Sequence, residues 1–169
     1  ELIEADITDG TRELLLITQQ GKAIRFPEEQ AREVGRSARG VRGIRLGKGD
    51  GVIGMQVVRE DTTLLTVTEL GFGKRTALKE YRVQSRGGKG IINIKVTKKN
   101  GPVVGSKTVL DEDDVMLITH EGMIVRSRVK DIRSIGRNSQ GVRLIKLHAK
   151  DRVSSVASVA HQEEEPLEP

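Results

Sequence analysis

Three stretches decide how this chain is read: LLLITQQGKAIRF at residues 14–26, LLTVTELGFGKRT at 64–76 and VMLITHEGMIVRS at 115–127. In each, a run of apolar, β-favouring residues leads to a threonine (Thr18, Thr68, Thr119). Glycine follows three residues later (Gly21, Gly71, Gly122) and arginine four after that (Arg25, Arg75, Arg126). The glycines are 50 and 51 residues apart. A fixed period of this size is the mark of a repeat architecture, in which each unit is one supersecondary element stacked on the next.

The remainder of each unit returns in the same order. A glycine-plus-basic stretch follows: ARGVRGIRL (38–46), SRGGKGIIN (85–93) and SQGVRLIKL (139–147). With Gly40, Gly87 and Gly141 taken as equivalent, the basic residue two places on is Arg42, Lys89 or Arg143. An apolar run closes each unit: VIGMQVV (52–58), VVGSKTV (103–109) and VSSVASV (153–159). Short runs rich in Val, Ile, Leu and Thr read as strands, and glycine at 21, 71 and 122 suits a tight turn between two of them. Alternation of Ile92, Ile94 and Val96 with Asn93, Lys95 and Thr97 predicts one apolar and one polar face. The expected fold is all-β and propeller-like, with about three four-stranded blades over 11–60, 61–110 and 111–160. Three blades do not close a ring, so the array is expected to be part of a larger one. Residues 1–10 read as the remnant of a preceding blade or a linker. Pro27 to Val34 has room for one helical turn, and the matching stretches 77–84 and 129–135 read as irregular.

The 169 residues are 36% hydrophobic and 31% charged, with no cysteine and three scattered histidines. Disulfide scaffolds, cysteine-zinc sites and cysteine nucleophiles are excluded, and no run of apolar residues is long enough for a membrane-spanning helix. Charge is uneven. The ends, 1–10 and 161–169, hold eight acids and no Lys or Arg; residues 11–160 hold 29 bases against 16 acids, a balance of +13. A basic body with an acidic tail points to a polyanionic partner. Only Phe26, Phe72 and Tyr81 are aromatic. Single-strand readers stack bases on such rings, so if the partner is a nucleic acid, a duplex gripped by its phosphates fits better than a single strand.

Gln84-Ser-Arg-Gly-Gly-Lys-Gly90, following GFGKRTALKEYRV, resembles the box motif of the DNA gyrase A C-terminal domain family, and GRNSQGVRLIKL (136–147) resembles that family's last blade. The box's second position, usually basic, is Ser85 here. The resemblance extends from about Leu14 to Val159. It implies a β-pinwheel, in which propeller-like blades exchange strands, and a basic rim that binds and wraps duplex DNA. That wrapping supports ATP-dependent negative supercoiling in the bacterial cytoplasm, at the nucleoid. It further implies no catalysis and no cofactor in this chain. ATP and Mg would be bound elsewhere in a holoenzyme built with the rest of gyrase A and with gyrase B. The corresponding domain of topoisomerase IV is an alternative, and a propeller-like module for an acidic protein is another.

The candidate DNA contacts are Arg25, Arg39, Arg42, Arg45, Lys48, Lys74, Arg75, Gln84, Arg86, Gly87, Gly88, Lys89, Gly90, Arg126, Arg128, Arg137 and Arg143. Glycine admits a phosphate close to the backbone and the basic residues supply charge. Arg25, Arg75 and Arg126 either line a rim that tracks the duplex or form a repeated structural ion pair. Lys95, Lys98 and Lys99 are either contacts or a solvated hairpin. The acidic tail after His161 is either a competitor for the basic rim or a plain terminus, expected to be disordered. Gly49-Asp-Gly-Val-Ile-Gly54 has the G-x-G-x-x-G spacing, but a strand follows it where dinucleotide binding needs a helix. Asp111–Asp114 reads as a solvated turn rather than a cation loop.

Overall fold

The computed structural model describes residues 2–160. It contains eleven strands: β1 (Glu13–Thr18), β2 (Lys22–Pro27), β3 (Val52–Val57), β4 (Thr63–Thr68), β5 (Phe72–Ala77), β6 (Ile91–Ile92), β7 (Val103–Val109), β8 (Asp114–Thr119), β9 (Ile124–Arg128), β10 (Val142–Arg143) and β11 (Val153–Val159). They form three antiparallel sheets in the orders β3-β1-β2-β6, β10-β5-β4-β7 and β11-β8-β9. The all-β, blade-by-blade reading holds. Each unit, however, supplies three strands to its own sheet. The fourth strand of the first sheet, β6, comes from the second repeat, and that of the second sheet, β10, from the third.

The threonine–glycine spacing has a direct cause. Gly21, Gly71 and Gly122 donate their backbone N–H to the carbonyls of Thr18, Thr68 and Thr119 at 3.0–3.1 Å. The hydroxyls of Thr18 and Thr119 accept the N–H of Lys22 and Met123. The glycines sit at φ of +76°, +78° and +85°, where a side chain is strained. All three sheets also share an irregular register at one place: Ile17/Thr18, Val67/Thr68 and Val153/Ser155.

Both faces of a blade are apolar. Leu15, Ile17 and Ala23 of the first meet Leu64, Leu78, Tyr81 and Ile94 of the second. Leu65 and Val67 of the second meet Val115, Leu117, Val129 and Ile145 of the third. The opposite face of the first blade, with Leu14, Ile24, Phe26 and Val57, is covered by Ile44. Strands β3, β7 and β11 lie side by side as the inner strands, which leaves β6 and β10 outermost.

Two local expectations are corrected. One-turn 3-10 helices occur in every repeat, at Glu28–Gln30, Leu78–Glu80 and Val129–Asp131, so the second and third stretches are as regular as the first. Asn93 is buried, not solvent-facing. It accepts the Tyr81 hydroxyl at 2.6 Å and donates to Thr66 at 3.1 Å. Residues 2–10 form no strand; Glu4 accepts the Met55 N–H at 2.9 Å and pairs with Lys107 across the inner strands.

The structure also resets the repeat register. Gly90, not Gly87, matches Gly141: both have positive φ, and a Cβ on either would stand 2.6 Å from the carbonyl oxygen of Ala23 or Gly73. In this register Asn93 N–H and Leu144 N–H both donate to the turn glycine, Gly21 or Gly71, at 2.8 Å. Gly40 has the same φ as Gly21, with open space around it. Gly141→Ala is therefore expected to cost about 2–4 kcal/mol, strain plus displaced backbone. Gly40→Ala should cost only about 1 kcal/mol of left-handed strain. Urea unfolding of the two variants in dilute solution checks the difference.

Candidate nucleic-acid interface

The repeated arginines are fastened inward. Arg25 donates from Nε to Glu13 at 2.7 Å and from Nη1 to the carbonyls of Leu78 and Tyr81, which belong to the next repeat. Arg75 pairs with Asp111 and donates from Nε to the Ile132 carbonyl at 2.8 Å, again in the next repeat. Both are clamps between neighbouring units, and neither guanidinium faces outward as a rim contact would require. Arg126 makes the equivalent pair with Asp114 at 2.6 Å, but its side chain is 61% exposed. The second repeat has Thr63 where the others have Glu13 and Asp114, so Arg75 draws its acid from the following turn.

Lys74 is also internal. It is fully buried, and its Nζ donates to the carbonyls of Gly136 and Arg137 at 2.6 and 2.8 Å. Burial lowers its pKa to about 8; Glu80 opposes the shift and Arg137 adds to it. Arg137 donates to the Ile92 carbonyl at 2.7 Å and is half-buried. Tyr81 is buried, and that burial raises its phenol above its ordinary range. Arg128 is exposed beside Asp131 at 3.7 Å.

The box loop lies against the glycine-basic stretch of the first repeat. Arg86 donates from its backbone N–H and Nε to Gln30, and from Nη1 to the Arg42 carbonyl. Gly87 N–H donates to the Gly43 carbonyl, and Arg45 N–H to that of Gly88. Gln84 N–H donates to the Arg25 carbonyl, while Ser85 is exposed. This packing brings Lys89 together with Lys22, Arg45 and Lys48 around a cleft of about 320 Å³, with Asp50 as its one acid. Arg36, Arg39 and Arg42 are exposed along the same stretch. Arg143, on outermost β10, is exposed and lies 5.3 Å from the centre of the Phe72 ring, which Lys99 also faces at 5.6 Å. All three aromatic rings are buried.

In the corrected register two sets of cations line up that the spacing of Gly40, Gly87 and Gly141 did not align. Arg32, Arg82 and Arg133 occupy one position, just after the 3-10 turn, and all are exposed. Arg45, Lys95 and Lys146 occupy another, just after the outermost-strand segment, and all are exposed. The signal that could have found them is the unbroken spacing of 50 and then 51 residues carried through from Gly21, Gly71 and Gly122.

Asp111–Asp114 serves structure: Asp111 and Asp114 hold arginines, and Asp113 accepts the Leu110 N–H. No group of three or more His, Cys, Asp or Glu among the described residues is arranged to hold a metal ion. No helix among them is long and apolar enough to cross a membrane.

These features define a class: a propeller-like array with exchanged outer strands, inward arginine clamps and outward cations. Residues 12–59, 62–109 and 113–160 each match the family described as DNA gyrase C-terminal domain, beta-propeller, and the chain belongs to that family. It is 47% identical over 165 residues to DNA gyrase A of Escherichia coli K12, covering 98% of this chain and 19% of that protein. It is 45% identical over 167 residues to DNA gyrase A of Staphylococcus aureus MRSA252, with the same coverage. The chain thus spans about a fifth of the length of these relatives. Among solved structures it superposes on the C-terminal domain of DNA topoisomerase IV with a TM-score of 0.85 and 32% identity, over 90% of this chain and 48% of that one. It superposes on the DNA gyrase A C-terminal domain with a TM-score of 0.83 and 26% identity, over 89% and 52%.

Lys74 makes stability depend on pH in a defined sense. Its folded pKa is about 8 against an ordinary 10.5, so between these values the unfolded chain binds more protons. Its contribution therefore rises with pH across that window, by on the order of 2 kcal/mol at pH 10. Lys74→Met should lose this rise, so that the difference in urea midpoint between wild type and variant changes steadily from pH 7.5 to pH 10. An unchanged difference would place the ammonium in a water-like setting.

Proposed function

We propose that this chain is a duplex-DNA-binding and DNA-wrapping module of the DNA gyrase A type, without catalysis of its own. The observation that carries this reading is the recurrence of exposed cations at fixed positions in successive blades: Arg32, Arg82 and Arg133, and Arg45, Lys95 and Lys146. Cations repeated in this way present charge at intervals along the outer edge, as a bent phosphate backbone requires. Burial of Phe26, Phe72 and Tyr81 leaves no ring for a base to stack on and favours duplex over single strand. The cleft of Lys22, Arg45, Lys48 and Lys89 is the principal phosphate seat, with Arg36, Arg39, Arg42, Arg128 and Arg143 as further contacts. Arg25, Arg75 and Lys74 act indirectly, by holding the blades in place. Gln84, Arg86, Gly87, Gly88 and Gly90 shape the loop that presents Lys89.

Bending DNA costs on the order of 1–6 kcal/mol for a moderate site, offset by many phosphate contacts. In the assembled type IIA topoisomerase, the bend would support ATP-dependent negative supercoiling. ATP and Mg would act at other parts of the complex, beside the rest of gyrase A and gyrase B, in the bacterial cytoplasm at the nucleoid. The likeness to the topoisomerase IV domain supports a second reading as that enzyme's module. Reconstitution separates the two: negative supercoiling restored when this chain is joined to the rest of gyrase A and combined with gyrase B favours the first.

Fluorescence anisotropy across a salt series tests DNA binding. Affinity for duplex should exceed that for single strand and fall steeply with salt. Lys95→Gln together with Lys146→Gln should flatten the slope of log K against log salt by about 0.9 for each phosphate no longer neutralised. Equal, negligible binding to duplex and single strand at low salt would overturn the reading and favour an acidic protein partner.

A further inference from the structure

An arginine recurs between successive repeats with the same two bonds. Arg137 donates its backbone N–H to the Glu80 carboxylate at 3.2 Å and its Nη1 to the Ile92 carbonyl at 2.7 Å. Arg86 donates its backbone N–H to the Gln30 side-chain oxygen at 2.8 Å and its Nη1 to the Arg42 carbonyl. In the register of 50 and 51 residues Gln30 matches Glu80, Arg42 matches Ile92 and Arg86 matches Arg137. Each arginine therefore reaches back from its own repeat to two places in the repeat before it. One is the end of the 3-10 turn, and the other is the segment that repeat extends toward a neighbouring blade.

The grip of Arg137 falls where a sheet is weakest. β6 has two residues and meets β2 at two residue pairs, whereas β1 meets β2 at five. So short a strand closes few ladder bonds. A charged donor on the Ile92 carbonyl makes a stronger bond than a neutral ladder bond, and it comes from outside the sheet. Lys95 N–H adds a second tie to the same loop, donating to the Ser139 carbonyl at 2.9 Å. Lys74 fixes that loop in turn, through the Gly136 and Arg137 carbonyls.

Two exposed cations depend on this strand. Lys89 lies just before β6 and Lys95 just after it. Arg137 itself is turned into the junction. It is half-buried, its Nη1 is bonded to Ile92, and its Nε is buried with no partner among the described residues.

We propose that Arg137 is a positioning residue for DNA wrapping, a role that rests on the DNA-binding reading above. From the following repeat it holds β6 on the first blade, and so sets where Lys89 and Lys95 meet the duplex. Arg86 holds the Arg42 segment in the same way. The outer strand of the first blade and the loop that feeds the second blade then move as one body. Adjacent stretches of the cation track are thereby coupled through a side chain that touches no phosphate.

Hydrogen exchange and a mutant cycle on the 169-residue chain test this. Arg137→Met keeps an apolar stem and removes every donor. It should quicken exchange of the Asn93 amide, which donates to Gly21 beside β6, by about tenfold. The Thr119 amide, bonded to Met123 within the third blade, should not change. Arg137→Met should weaken duplex binding several-fold, yet have no further effect where Lys89→Gln and Lys95→Gln are already present, because it acts through those lysines. In the wild type the Arg137 side-chain N–H resonances should stay in place when duplex is added. Equal loss of affinity in both backgrounds, or resonances that move with duplex, would make Arg137 a direct contact and overturn the proposal. Unchanged exchange at Asn93 would overturn it as well. A wild-type chain with no measurable duplex affinity would instead overturn the DNA reading, while the exchange result still decides whether Arg137 holds β6.

Discussion

The constraint on which the rest depends is the close approach of two backbones at a glycine pair. When β6 docks on the first blade, Gly21 meets the Ile94 carbonyl and Gly90 meets that of Ala23; at the second blade Gly71 and Gly141 repeat the arrangement. A side chain at any of these four positions would both strain φ and occupy the space of a carbonyl. The outer strand of each blade is thereby supplied by its neighbour. Blades become links in a chain, and their relative orientation is fixed by backbone geometry rather than by apolar packing alone.

The arginine clamps follow from the same exchange. Once a neighbour's strand is docked, its 3-10 turn brings backbone carbonyls against the preceding blade, and Arg25 and Arg75 donate to them. Each guanidinium also meets a carboxylate, so the buried or half-buried charge is paired. The cations left to the solvent, Arg32, Arg82 and Arg133 with Arg45, Lys95 and Lys146, flank the exchanged segment and inherit its regular spacing. Inward arginines set the frame, and outward cations recur because the frame recurs.

Much of this was legible in the sequence. The 50- and 51-residue spacing of Gly21, Gly71 and Gly122 revealed the repeats, and β-branched runs such as 103–109 and 153–159 became strands as read. What was not legible was which strand belongs to which sheet, because exchange leaves composition and local pattern unchanged. The alignment of Gly87 with Gly141 failed because Gly87, Gly88 and Gly90 look alike as letters; only the carbonyl pressed on Gly90 tells them apart. Asn93 looked like a solvent-facing residue because its partners, Tyr81 and Thr66, lie 12 and 27 residues away. For the same reason Arg25, Arg75 and Lys74 stood among the rim candidates: their carbonyl partners lie more than 50 residues along the chain.

If the outward cations form one track, a duplex follows them around the array and bends as it does so. Fluorescence energy transfer between dyes at the two ends of a duplex long enough to span all three blades reads that bend directly. The ends should approach on binding, and the approach should be lost when Arg32, Arg82 and Arg133 are replaced together by Gln in a protein that remains folded. Saturated binding with no change in end-to-end distance would contradict wrapping.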